Sequence, residues 1–440
     1  MQMPDLSGVF LKTPNEFSSY RVGRNFVDDM KTRLTAGPPA YEGHSVARLD
    51  GKIILLKGAI PGEIVEAEIL QEKKDYSVAA TVRILESSPE RVEPPCRYFA
   101  ACGGCHMQYA SYPMQVRMKE EVLKSSLKRI GKMELRLSEP LAGQPWNYRH
   151  RGKFRLSGGH AGYFMERSNR LVGIDECPLM VPEINAAFKN AKRILKGAAC
   201  ELHIFRGDKT LALVKDMSKG FGHDRERICG MLLDGGFAGV RMETEGGKPL
   251  TFGKERLKLN LDGLKYSVSA GGFFQANWNL NKALVKLVLE NLETFEAKTV
   301  LDLYSGAGNF ALPISRIADR VVAVEENRSS VKDGKENTKA NGIENCEFIL
   351  WNVDGFKIRE RFDAVILDPP RAGISEAGAG KILAASPSVI VYVSCNPSTL
   401  ARDLGRLKEY YGVESLRLVD FFPQTYHMEA LAVLSRRRQS

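Results

Sequence analysis

Nowhere does the sequence carry an apolar run of the roughly 20 residues that a membrane-spanning helix requires, so no membrane role is expected. Its opening, MQMPDLSGVFLKTPNEFSSY, lacks the basic start and apolar centre of a secretion signal. A cytoplasmic location is therefore expected. Internal repeats and low-complexity tracts are missing too, and the chain reads as ordinary globular sequence. Acidic residues are in deficit, 53 against 63 lysines and arginines, which leaves a formal net charge of +10. That balance points to polyanionic partners, although a merely basic enzyme has the same charge. At 440 residues the chain exceeds one ordinary core, so two to three domains are expected.

Residues 1–36 show little periodicity and read as an N-terminal extension. From 37 to 93, runs such as SVARLDG, KIILLKGAIPGE and IVEAEILQEKKDYSVAATVRILESS alternate apolar with polar residues between turns at Asp50-Gly51 and Pro61-Gly62. The pattern predicts a small five-stranded barrel, an architecture that often binds nucleic acid without proving that it does. Next come PPCRYFAACGGCHMQYA and a helical stretch, YPMQVRMKEEVLKSSLKRIGK, stopping at Gly131. Residues 94–272 read as a mixed α+β central domain. Within it Arg149, Arg151, Lys153 and Arg155 alternate, which puts basic side chains on one strand face. Arg436 to Arg438 add a short basic tail. From 273 to 440 strands such as TVLDLY, VVAVEE, FDAVILD and SVIVYVSC alternate with helical segments. This α/β pattern predicts a Rossmann-like, doubly wound parallel sheet, with ligands bound beyond the carboxyl ends of its strands.

The stretch LDLYSGAGNFALP, residues 301–313, runs from an apolar strand through a glycine turn into a helix. Gly306 and Gly308 let the backbone turn tightly and approach a ligand, with Ala311 at the third fingerprint position. Glu325 ends the next strand, 23 residues after Asp302, where an acid can bind ribose hydroxyls. A nucleoside cofactor follows, and NAD is one candidate. Asp368-Pro369-Pro370 at the end of a later strand has no use in a dehydrogenase, however, and suits the substrate-side loop of a methyltransferase.

One strand further on, VIVYVSCNPSTLARDL sets Cys395 at a strand end with a helix starting beyond Pro397. A free thiol with pKa ~8.5 is little ionised at neutral pH, and a nearby helix N-terminus is expected to favour thiolate. The plain alternative is a buried structural cysteine, against which the polar Ser394 and Asn396 argue. A methyltransferase needs a thiol when its target is carbon 5 of uracil, which is too weak a nucleophile to take a methyl group unaided. Thiolate addition at carbon 6 puts electron density on carbon 5, and a base must afterwards remove the carbon 5 proton. Glu429, at the head of an otherwise apolar strand, is the candidate base, with His427 as its rival.

Together these stretches resemble the class I RNA (uracil-5-)-methyltransferase family. The residues carrying the resemblance are GGFFQAN (271–277), LDLYSGAGNF (301–310), VVAVE (321–325), LDPPRAG (367–373), SCNPSTLARD (394–403) and HMEALAVL (427–434). The resemblance implies S-adenosylmethionine as methyl donor and RNA as substrate, ribosomal RNA ahead of transfer RNA, and a monomer is the default. It implies that Cys395 is the nucleophile and Glu429 the base. It also implies donor contacts from Gln275, Tyr304, Asn309, Glu325, Asn352 and Asp368. Residues 37–93 resemble the OB-like TRAM barrel that precedes the core in many members. Rival readings are an adenine methyltransferase, which has no use for Cys395, a cytosine-5 enzyme, which shares the thiol, and a non-catalytic RNA-binding protein on the same scaffold.

Cys96, Cys102 and Cys105 are spaced as ligands, with Gly103 and Gly104 letting the loop fold round an ion and Cys177 as a fourth thiolate. Zinc and an iron–sulfur cluster both accept four cysteines. The family resemblance implies a [4Fe-4S] cluster. The other thiols, Cys200, Cys229 and Cys346, read as core residues. Finally, a uracil in folded RNA must leave its stack to be methylated, and Phe273, Phe274, Phe421, Phe422 and Tyr426 are the aromatics available to replace that stacking.

Overall fold

The structure is a computed structural model that describes residues 31–217, 221, 224–245 and 247–437. The extension up to residue 30 and Arg438 of the basic tail lie outside the described residues. No helix among the described residues is long and apolar enough to cross a membrane. The chain forms two compact units: residues up to Glu93 with Tyr109–Met114, and Pro94–Gln108 with Gln115 onwards.

The first unit is a barrel. Thr32–Thr35 pairs antiparallel with Ile64–Glu72. After Ala36-Gly37-Pro38 the same stretch of chain pairs through Pro39–Ala40 with His44–Leu49. One interrupted strand therefore closes the ring formed with Lys52–Lys57 and Tyr76–Glu86. The interruption needs glycine, because a Cβ on Gly37 would lie 2.6 Å from the carbonyl oxygen of Val46. Alternate residues, among them Ile54, Leu56, Val65 and Ala67, fill the interior. The five-stranded barrel matches the sequence pattern. Its first strand, TRLT, falls inside the stretch read as extension, since four residues are too few to display an alternation.

The second unit holds two sheets. One has seven strands in the order Leu171–Gly173, His160–Phe164, Arg151–Ser157, Cys200–Arg206, Thr210–Asp216, Gly239–Thr244 and Leu250–Gly253. Helices Pro182–Ile194 and Arg225–Asp234 bury their apolar stripes against one of its faces. In Arg151–Ser157 the small and apolar residues Gly152, Phe154 and Leu156 are buried and the basic ones look outward, as their alternation requires.

The other sheet has eight strands: Cys346–Leu350, Arg320–Glu325, Thr299–Leu303, Ala364–Leu367, Val389–Ser394, Glu429–Arg436, Tyr411–Val419 and Ser138–Leu141. The first five run parallel and are apolar almost throughout, because helices cover both faces. Two features depart from the sequence reading. Glu429–Arg436 runs antiparallel to both of its neighbours. Ser138–Leu141, from the stretch read as central domain, forms an edge strand here. Its proline suits an edge, where an N–H is not required. The sheets also share a core, since Phe205, Leu211 and Leu213 pack in the same cluster as Val300, Val321 and Val391.

Candidate active site and a cysteine-lined cleft

The parallel strands end on a common edge, and the motifs gather there. After Leu303 the chain turns through Tyr304, Gly306 and Gly308, at φ of 62, 56 and 93°. Glycine at 308 is required twice over, for its left-handed backbone and because a Cβ would lie 1.9 Å from the Leu312 side chain. The Gly306 N–H donates to one oxygen of Glu325 at 3.0 Å and the Asn327 N–H to the other at 2.7 Å. This fixes the carboxylate against the glycine turn. Tyr304 lines a narrow apolar cleft, with about 10 Å³ of free space, together with Leu303, Val353, Phe356, Ile374 and Ile382. Asn352 donates to Glu326 at 2.6 Å. Asn309 pairs its amide reciprocally with that of buried Asn281, at 2.7 and 3.0 Å. Buried Gln275 stands just ahead of the helix Trp278–Thr294, which is capped by Asn277 and carries Asn281.

The antiparallel strand explains the chemistry of the edge. Ser394 pairs with Ala430, so the next pair in that register is Cys395 across from Glu429. A strand running the other way begins where its neighbours end, which brings an acid from its start to a cysteine at the end of theirs. Asp368, directly after Ala364–Leu367, joins them. Burial first, then the charge of Asp368, holds Glu429 well above the usual carboxylate range. Burial lifts Asp368 to about 7. Glu429 is only 6 % exposed, and its Oε2 has no hydrogen-bond partner. Two buried carboxyls this close share protons and titrate as a pair.

Cys395 corrects an expectation. Its thiol lies above its ordinary value, through burial first and then the charges of Glu429 and Asp368, while Arg371 opposes them. The helix Pro397–Leu407 does start beyond it, with the Asn396 side chain accepting from the Ser398 N–H at 3.0 Å. Two adjacent carboxyls and loss of water outweigh that partial charge.

Arg371, in the loop after the paired prolines, lies with Nη2 3.1 Å from His427 Nδ1. A guanidinium only donates, so Nδ1 accepts and the ring is neutral. Burial first, then the Arg371 charge, lowers His427 to about 4. The Arg371 carbonyl in turn accepts from Asn396 Nδ2 and Thr399 Oγ1, each at 3.2 Å. The proline loop and the cysteine loop are thereby one assembly. Of the five aromatics, Phe421 and Phe274 belong to the core, the latter because the strand pair 256–269 and the helix 278–294 cover it. Phe422 packs against that core, Tyr426 is half-buried, and Phe273 is 63 % exposed beside the Arg151 guanidinium.

Cys96, Cys102, Cys105 and Cys177 line one cleft of about 50 Å³, together with Tyr98, Arg149 and Tyr163. Burial above all lifts Cys102 to about 11 and Cys105 to about 12. Gly103 serves a close approach, since a Cβ there would lie 2.7 Å from the Glu166 nitrogen. Among the described residues no three His, Cys, Asp or Glu side chains converge as a single bound ion requires. Cys200 and Cys229 are core thiols, and Cys346 packs on the core's margin.

Comparison with known proteins decides the family. Residues 250–437 match the tRNA (Uracil-5-)-methyltransferase family model. An uncharacterized RNA methyltransferase of Aquifex aeolicus is 33% identical over 431 residues, 92% of this chain and 99% of the relative. The 23S rRNA (uracil(1939)-C(5))-methyltransferase RlmD of Alkalilimnicola ehrlichii is 32% identical, covering 91% of this chain and 95% of that protein. The chain belongs to the S-adenosylmethionine-dependent RNA (uracil-5-)-methyltransferase family. Its fold agrees with the crystal structure of Pyrococcus abyssi tRNA (uracil-54, C5)-methyltransferase in complex with S-adenosyl-L-homocysteine. The match has a TM-score of 0.74 at 24% identity, over 91% of this chain and 100% of the other.

One residue at the site went unnoticed in the sequence: Asn281 carries no signal beyond the run NWNLN. Asp302 served only to count the spacing to Glu325, and was given no role of its own. Burial and the charge of Asp368 raise Asp302 well above the carboxylate range. The raised thiol of Cys395 is testable without RNA. Its alkylation by iodoacetamide, followed by peptide mass spectrometry, should accelerate about tenfold per pH unit from 7 to 9 as thiolate forms. Glu429→Gln removes a neighbouring charge and should speed alkylation at pH 8. A rate already flat above pH 7 would contradict the raised value.

Proposed function

We propose that the chain methylates carbon 5 of a uracil in 23S ribosomal RNA, with Cys395 as covalent nucleophile and Glu429 as the base that ends the cycle. The observation carrying this reading is the register of Val389–Ser394 with Glu429–Arg436, which sets the two residues across from each other on the edge where the donor motifs collect. The Cys395 thiol first loses its proton to solvent, the thiolate sulfur bonds to carbon 6, and the ring electrons move towards carbon 5. Carbon 5 takes the methyl group from a sulfonium, whose carbon–sulfur bond breaks to leave a neutral thioether. Glu429 then accepts the carbon 5 proton, the sulfur–carbon 6 bond breaks, and the ring double bond returns. Glu429 is favoured over His427 because Arg371 occupies Nδ1 of the histidine, whose basicity burial first and then the Arg371 charge depress.

S-adenosylmethionine brings the methyl group and a positive charge to a site that gathers Cys395, Asp368 and Glu429. We assign its contacts to Gln275, Tyr304, Asn309, Glu325, Asn352 and Asp368. The turn locked by Glu325 presents its backbone and carboxylate where a nucleoside would sit, beside the apolar side chains around Tyr304. Phe273 is the aromatic free to stack on a flipped base, and Arg151, Lys153 and Arg155 suit phosphates. The barrel is read as a TRAM module that binds RNA. Cys96, Cys102, Cys105 and Cys177 are read as ligands of a [4Fe-4S] cluster. The support for this reading is that all four cysteines line one cleft. The buried Arg149 Nε, which has no hydrogen-bond partner, adds a cation suited to an anionic cluster.

The ribosomal choice follows relatives matched over nearly their full length. With 23S rRNA and tRNA transcripts offered separately, nucleoside mass spectrometry should find 5-methyluridine in the first. Methylation of tRNA alone would reverse the choice of substrate, and 5-methylcytidine would overturn the choice of base.

A further inference from the structure

The loop of residues 420–428 carries His427 and leads into Glu429, yet what holds it comes from distant sequence. The Gln424 carbonyl accepts from the N–H groups of His106 (2.9 Å) and Met107 (3.1 Å), which directly follow Cys105. The Gln424 N–H donates to Gln115 Oε1 at 2.9 Å, and Gln115 Nε2 donates to Gln424 Oε1 at 2.9 Å. Gln115 and Gln424 are 1% and 2% exposed. Gln424 sits at φ 69°, a left-handed backbone that disfavours a non-glycine residue. Such a conformation persists only where surrounding bonds over-determine it. One turn further along the same helix, buried Lys119 binds the start of the loop through Asp420 (2.6 Å) and the Phe422 carbonyl (3.1 Å).

We infer that the cysteine segment clamps the loop that leads into the base, with Gln115 as the positioning residue that locks Gln424 to it. On this account the bonds from His106 and Met107 to Gln424 set the approach of Glu429 to carbon 5. The inference rests on the reading of Glu429 as the base. It predicts that loosening the clamp slows proton removal while leaving methyl transfer intact. Gln115→Met keeps the length of the side chain and loses both bonds. Gln115→Glu keeps both, because the Gln424 amide can turn to present its N–H.

The test uses the full enzyme and RNA carrying tritium at uridine carbon 5, comparing tritium release with transfer of a carbon-14 methyl group in one turnover. In the wild type and in Gln115→Glu the two should run together. In Gln115→Met release should lag about 100-fold, the scale of an ångström-size misplacement, with iron content and RNA affinity unchanged. Amide exchange across residues 420–428 should also rise in that variant. Should Gln115→Met not fold, Gln424→Gly removes the side-chain pair while relaxing the backbone, and should show the same lag. A lag in Glu429→Gln with none in the clamp variants would overturn the clamp alone. No lag in any of them would overturn the base assignment and the clamp with it.

Discussion

Replacing Cys395 by alanine is expected to lower the rate of uracil methylation by some 10⁴–10⁶-fold, the scale on which covalent enzymes lose activity without their nucleophile. At 1.36 kcal/mol for each factor of ten, that is roughly 5–8 kcal/mol of barrier. The size of the effect follows from the ring, since without an adduct at carbon 6 there is no enolate and carbon 5 is left with little nucleophilicity. Cys395→Ser should fare no better, because the hydroxyl is far less acidic than a thiol already raised by burial, Glu429 and Asp368. Binding of donor and RNA should survive both changes, as the glycine turn and its lock by Glu325 do not involve the sulfur. A methyl-transfer assay under single-turnover conditions, with donor affinity measured alongside, separates chemistry from binding.

Glu429→Gln is expected to separate two steps that normally coincide. Methyl transfer precedes proton removal, so the first methyl group should reach the ring at close to the normal rate. Release should fall about 10²–10⁴-fold, the usual worth of a general base, and protein joined to ordinary RNA should accumulate on denaturing gels. The pH dependence has a definite sign. Burial and the neighbouring acid raise Glu429, and burial lifts Asp368 to about 7. A base works ionised, so release in the wild type should slow as pH falls through the titration of that pair and recover as it rises. In Glu429→Gln this acid limb should disappear. A variant that methylates and releases at the normal rate would remove Glu429 from the reaction.

Much of this was legible in the sequence because the catalytic strands are apolar runs bounded by distinctive turns. LDLYSGAGNF, LDPPRAG and SCNPSTL each announce a strand, a turn and the start of a helix, and the structure has them there. Less was legible where the signal lies between strands. MEALAVLS reads as a strand in either direction, and only the pairing of Ser394 with Ala430 reveals that Glu429 meets Cys395. Helix-end charge suggested a lowered thiol, whereas burial first and then two carboxyls from other strands raise it. Gln115 and Gln424, 309 residues apart, carry no sequence cue at all. Short elements such as TRLT and SEPL owe their strands to their neighbours.

The most direct test of the account uses RNA with 5-fluorouridine at the target position, incubated with enzyme and methyl donor. Fluorine cannot leave as a proton, so the methylated ring should stay bonded to Cys395. The account predicts a denaturation-resistant protein–RNA complex whose modified peptide contains Cys395, present in the wild type and in Glu429→Gln and lost in Cys395→Ala. Quantitative methyl transfer to the fluorinated RNA with no such complex, or a complex that persists in Cys395→Ala, would contradict it.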